Sequence, residues 1–245
     1  METSDFIEIL RREGPMLADA AGRAGLGAPV PPCPGWTVRD LLAHTGAVHR
    51  WADDYVLGGS TEREERDETS PGDAELLDWY RALHSRLCDA LSAAPADLTC
   101  WFFLPAPSPL AFWARRQAHE TTIHRVDAES ALGAALSPVD GEFAADGVDE
   151  LLTGFHGRAR SRVRTAQPRT LRVRTLDTGH EWLVRLSPGH PVTERFATGT
   201  RADCTLSATA RDLYLALWNR GPYDGLAVEG DESLVELWRR TSAIT

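Results

Sequence analysis

The sequence has no lysine; its 26 basic residues are all arginine and are outnumbered by 36 acidic ones, giving a formal net charge of −10. The accompanying richness in Ala, Arg and Gly suggests a GC-rich coding source, which concerns genome composition rather than mechanism. The net negative charge opposes the phosphate neutralisation that supplies most affinity for DNA and RNA, so nucleic acid is an unfavourable partner. No run approaches the roughly 20 apolar residues that cross a bilayer. Residues 1–9 carry acids where a secretory signal needs a basic start and an apolar core. Both observations predict a cytoplasmic protein with no membrane attachment. Cys33, Cys88, Cys100 and Cys204 form no C-x-x-C pair, which excludes a zinc knuckle or a thioredoxin-type centre and predicts reduced thiols. Internal repeats and low-complexity tracts are missing as well.

What is present suits a chain that folds: 245 residues, 42% hydrophobic and 25% charged, enough for a sizeable core. The patterning predicts an α+β protein of two domains, a four-helix bundle over residues 1–140 followed by a linking helix and a smaller α+β domain over 141–245. Phe6, Ile9, Leu10, Leu17 and Ala21 recur at helical spacing, and Gly22, Gly25 and Gly27 end that helix. After a proline-rich lead-in, a second helix starts at Thr37 with a capping box to Asp40 and runs to about residue 57. Residues 62–68 read as a solvated charged loop. Leu76, Leu77, Tyr80, Leu83, Leu87 and Leu91 give a third helix closed by Pro95. Prolines between 95 and 109 forbid a long helix, yet Trp101, Phe102, Phe103 and Leu104 are too apolar for an idle loop, and we expect them to cover a pocket. A fourth helix spans about 110–132 and a fifth about 143–164. Beyond Gln167-Pro168, residues 171–175, 182–186 and 203–207 read as strands, and 211–219 and 233–241 as helices, each preceded by a short extended segment.

The stretch Ala118-His-Glu-Thr-Thr-Ile-His124 superficially matches H-E-x-x-H, which needs its histidines four apart on one helix face. His119 and His124 are five apart, so they cannot easily share an ion. Glu120 and His124 are four apart and project from adjacent turns of one face. His44, near the inner face of the second helix, is placed to supply a third donor, as bundle cores commonly do. Two imidazoles and a carboxylate would leave a coordination position open, the pattern of a catalytic site. A thiol there would be deprotonated, whereas water would become hydroxide. The same spacing also fits an ordinary helical Glu–His pair and a buried histidine satisfied by backbone, and spacing alone leaves both readings open.

Residues 32–44, Pro-Cys-Pro-Gly-Trp-Thr-Val-Arg-Asp-Leu-Leu-Ala-His, resemble the opening of the mycothiol-dependent maleylpyruvate isomerase family, which belongs to the DinB-like metal-binding bundles. Residues 114–127, Ala-Arg-Arg-Gln-Ala-His-Glu-Thr-Thr-Ile-His-Arg-Val-Asp, look like that family's second signature, with His44, Glu120 and His124 in its three ligand places. Residues 205–220 and 226–238 are similar to its C-terminal domain, which is itself similar to sterol carrier protein folds. The resemblance implies zinc, or another divalent metal, and mycothiol as thiol cosubstrate. It implies cis-trans isomerisation of maleylpyruvate-like substrates, or thiol addition to an electrophile as in mycothiol S-transferases of biosynthesis or detoxification. For an anionic substrate it implies Arg220 as the guanidinium that binds a carboxylate, with Arg116 and Arg125 as weaker contenders because most arginines of the fourth helix should be solvated. His49 is expected at the surface or supporting the site, Cys33 in packing, Trp36 as the anchor of its helix start and Asp40 as a cap. A non-catalytic ligand-binding module and metal-assisted hydrolysis are the competing classes. The expected assembly is a monomer or homodimer whose partners are mycothiol and a small electrophile.

Overall fold

The computed structural model describes residues 1–195 and 201–244, and the chain divides into two compact units, Met1–Ser137 and Pro138–Thr245. The first holds four long helices, α1 (Thr3–Ala24), α2 (Val38–Gly58), α3 (Asp73–Ala93) and α4 (Pro109–Leu132). α2 starts where the sequence says it should: Thr37 N–H donates to Asp40 Oδ2 at 2.8 Å, and the Thr37 hydroxyl accepts from Asp40 N. Its end is a left-handed Gly59 at φ 66°. α4 begins with Ser108 capping Ala111 N, has Pro109 in its first turn, and stops at left-handed Gly133.

α1 and α3 pack closely because Gly14 has no side chain. A Cβ there would lie 2.2 Å from the His84 ring, whose Nε2 donates to Leu10 O at 2.8 Å. The apolar core joins Leu17, Ala18 and Ala21 of α1, Val38, Leu41 and Leu42 of α2, Leu76 and Tyr80 of α3 and Ala128 of α4.

α4 runs through the bundle interior and is buried along most of its length, polar residues included. This corrects the expectation that its arginines are solvated. Arg116 is 3% exposed and Arg125 not at all, the latter held by Glu13 at 2.8 Å and Glu129 at 2.7 Å. Residues 62–68 are largely exposed, although Arg50 tethers this loop through Asp67 O and Thr69 O. The aromatic residues of the 95–108 segment pack into a cluster: Trp101 stacks on Tyr55 at 5.2 Å, and Phe103 packs on Phe112 at 4.8 Å.

In the second unit, α5 (Gly141–Asp149) passes into a π-helical turn, Glu150–Phe155. The expected helix to 164 therefore stops about nine residues early. Gly157 follows, where a Cβ would lie 2.4 Å from Thr153 O, and then buried Ser161 and Val163 alternate with exposed Arg160, Arg162 and Arg164, the period of an extended chain. A five-stranded sheet has the order β3-β2-β1-β4-β5, with β1 Arg169–Thr175, β2 Glu181–Leu186, β3 Val192–Arg195, β4 Cys204–Ala208 and β5 Ala227–Gly230. β1 and β4 are parallel, Leu171 opposite Cys204; the other pairs are antiparallel. α6 (Ala210–Leu217) connects β4 to β5, and α7 (Ser233–Thr241) follows β5. The edge strand β3 was not legible in the sequence because its residues are mostly exposed and lack apolar alternation. All four cysteines are free, and no helix of the described residues is long and apolar enough to cross a membrane.

Candidate metal centre

His44 stands two turns into α2 and Glu120 and His124 occupy adjacent turns of α4, so the two helices present three donors to one point. His44 Nε2 and His124 Nε2 each lie 3.2 Å from Glu120 Oε1. One ligand atom from each residue falls within 4.8 Å of the other two, and among the described residues this is the grouping of His, Cys, Asp and Glu that could hold an ion. Donors at about 2.0–2.2 Å from a common ion sit roughly 3.0–3.6 Å apart; the two 3.2 Å separations fit. The donor set is borderline in softness, which suits zinc without excluding nickel or iron. Side-chain exposures of 23% for His44 and 20% for Glu120, against 8% for His124, leave one side of the cluster open to solvent.

Burial works against the Glu120 carboxylate, but hydrogen bonds from His124 and His44 and the charge of Arg116 outweigh it and hold the group well below the usual carboxylate range. Arg116 reaches the outer oxygen, Oε2, at 3.2 Å. Burial likewise opposes the His124 imidazolium, yet bonds to Asp127 and Glu120 raise its pKa to about 9. An imidazole held between two carboxylates has to release that proton before its Nε2 can serve as a ligand.

Asp127 is the residue that sequence reasoning missed. It is fully buried and its Oδ2 lies 2.9 Å from His124 Nδ1. The signal was a carboxylate three residues after a candidate ligand on the same helix. Cys33 donates from Sγ to the same Oδ2 at 3.4 Å, so its role is more than packing. Trp36 covers the cluster as well as starting α2, with ring centroids 5.0 Å from His44 and 6.2 Å from His124.

His119 is completely buried but points elsewhere, its ring against Phe6 at 6.0 Å. His49 is not at the surface as one reading expected: it is fully buried, and its Nε2 lies 2.9 Å from Thr121 Oγ1. Burial, reinforced by the charge of His84, drives its pKa well down. Asp40 is a cap, and its side chain bonds to Thr37. A groove of about 510 Å³ borders His44, lined by Trp36, Arg39, Asp40, Glu68 and Ser70 among others. Arg220 belongs to the second unit, just after α6 and left-handed Asn219, with its backbone N–H donating to Leu215 O and its guanidinium to Trp218 O at 2.9 Å.

Residues 8–129 match the profile of the mycothiol maleylpyruvate isomerase N-terminal domain, and residues 142–237 match that of the MDMPI C-terminal domain. Among solved structures, a crystal structure of a point mutant of the mycothiol-dependent maleylpyruvate isomerase superposes with a TM-score of 0.65 at 15% identity, covering 94% of this chain and 93% of that one. A second crystal structure of the mycothiol-dependent maleylpyruvate isomerase gives 0.64 at 14% identity with the same coverage, so the likeness establishes the fold. Comparison with curated proteins returns no match.

Proposed function

Because the chain belongs to the mycothiol maleylpyruvate isomerase family, we propose that it is an enzyme that uses mycothiol as thiol cosubstrate at a divalent metal ligated by His44, Glu120 and His124. The observation that carries this is one carboxylate oxygen lying 3.2 Å from two imidazole nitrogens, one of them 76 residues away on another helix. A divalent ion there, zinc by family analogy, would supply thiolate chemistry at neutral pH. Arg116 fixes the outer oxygen of Glu120 and so aims the inner one. Trp36 shields His44 and His124 from water on one side.

Cis-trans isomerisation of a maleylpyruvate-like substrate follows if the thiol sulfur adds to the cis double bond, the resulting single bond rotates, and elimination returns the thiol. Transfer, the second reading, follows if the sulfur attacks an electrophile and stays attached. Arg220 is the proposed partner for a substrate carboxylate, since a guanidinium matches its two oxygens. A purely structural metal in a ligand-binding module fits poorly with a cluster open on one side. Hydrolysis would need a general base beside the metal in addition to the three ligands.

Metal analysis of wild type, His44→Ala and His124→Ala tests the ligand set: both variants should lose the bound ion, and full retention by either removes the site. Arg220→Ala should retain the ion and lose most turnover of an anionic substrate; unchanged turnover rejects the assignment. Product analysis with maleylpyruvate and with a panel of neutral electrophiles, each with and without mycothiol, separates isomerase, transferase and hydrolase.

A further inference from the structure

The loop over residues 30–36 is closed on itself: Cys33 N–H donates to Val30 O at 3.0 Å, Trp36 N–H to Cys33 O at 2.9 Å, and Val30 N–H to Trp36 O at 2.9 Å. Gly35 at φ +86° makes the turn between Pro34 and Trp36, a conformation that side-chain-bearing residues rarely adopt. Two side chains of this loop reach the same imidazole, one directly and one through a carboxylate. Trp36 lies across the face of His124, with ring planes 23° apart. Cys33 Sγ donates to Asp127 Oδ2, the oxygen 2.9 Å from His124 Nδ1.

We propose that this loop is a clamp that positions His124 for metal binding, with Asp127 fixing the ring edge and tautomer and Cys33 holding Asp127. The inference rests on the reading of His124 as a ligand. With Nδ1–H donated to a buried carboxylate, the imidazole can turn only Nε2 toward Glu120, and its ring plane is set before an ion arrives. Cys33 and Trp36 limit the two remaining freedoms, rotation of the carboxylate and tilt of the ring. These are positioning residues: Asp127 and Cys33 act through His124, and Trp36 through His124 and, at 5.0 Å, His44 as well.

Zinc affinity, measured by competition with a chromophoric chelator, tests the clamp in four proteins: wild type, Asp127→Asn, Cys33→Ala and the double variant. Asp127→Asn should weaken Zn²⁺ binding by about 10- to 100-fold, and Cys33→Ala by a smaller factor, about 3- to 10-fold, as expected for one weak donor. The double variant should bind no more weakly than Asp127→Asn alone, because Cys33 acts through Asp127. The visible absorption of the Co²⁺-loaded proteins should shift in the same rank order, a change that packing loss alone would not produce. Unchanged affinity in Asp127→Asn, or losses that multiply in the double variant, overturns the clamp while leaving the ligand set standing. Failure of the wild type to bind Zn²⁺ at all instead removes the ligand set, and the clamp with it.

Discussion

Arg125 has no exposed surface, yet it carries a full charge between Glu13 of α1 and Glu129 of α4, and a further N–H reaches Ser137 O. The guanidinium serves both carboxylates because its donors point in fixed, divergent directions, something an ammonium cannot reproduce. Arg125→Met would leave buried Glu129 without its arginine and Glu13 paired only with Arg12, itself more than half exposed, at 3.0 Å, so unfolding in urea should show a loss of about 3–5 kcal/mol. Arg125→Lys should recover less than half of it; a loss below about 1 kcal/mol for Arg125→Met would mean that Arg12 and water compensate the acids. The sequence did not reveal this role, because an arginine in a helix gives no sign of whether its surroundings are solvent or a second carboxylate 112 residues away. The same blindness hid Asp127, one acid among 36, whereas Glu120 and His124 were legible because ligands have to share a face at a fixed spacing.

At the scale of elements, helix boundaries were largely legible, since caps are written locally: Thr37 with Asp40, Ser108 with Pro109, and Gly59 and Gly133 as stops. What local signals could not show was how many faces of a helix are covered. The arginines of α4 were expected in solvent, but the helix lies in the interior, which is why Arg116 and Arg125 are buried. Helix contact at α1 and α3 gives a test. An alanine within a helix is ordinarily worth up to about 1 kcal/mol over glycine, but at Gly14 the new methyl would sit 2.2 Å from a His84 ring pinned by its bond to Leu10 O. Overpacking of this kind costs about 1–3 kcal/mol, so Gly14→Ala should be net destabilising by thermal unfolding. Gly46 faces the Trp79 ring just as closely, but Trp79 is only partly buried and can swing outward, so Gly46→Ala should cost less. The reverse order would show that His84 yields more readily than its hydrogen bond implies.

Across the whole molecule, buried histidines couple stability to pH in opposite directions. In the first unit, burial lowers the pKa of His49 and His84, while His124 is raised to about 9 against burial by its bonds to Asp127 and Glu120. In the second unit, burial alone takes His156 down to about 4; it lies against Trp238, and its Nδ1 is 3.0 Å from Ser161 Oγ. A depressed histidine binds its proton only after unfolding, so the stability it contributes is complete above about pH 6.5 and drains away as pH falls towards its folded value. A raised one behaves conversely: its contribution is complete below about pH 6.5 and is lost as pH climbs through 9. For metal-free protein kept in chelator, these signs predict that the first unit loses stability on both sides of about pH 6.5, and the second on the acid side. His156 should account for up to about 3 kcal/mol of the second unit's acid loss, since each pKa unit is worth 1.36 kcal/mol. His156→Asn, which cannot take up the proton, should flatten that acid limb in urea titrations between pH 7 and 4.5 and leave the alkaline limb untouched. An acid limb of the same slope in wild type and variant would show that His156 gains access to solvent in the folded protein, and that the closed packing around it does not hold in solution.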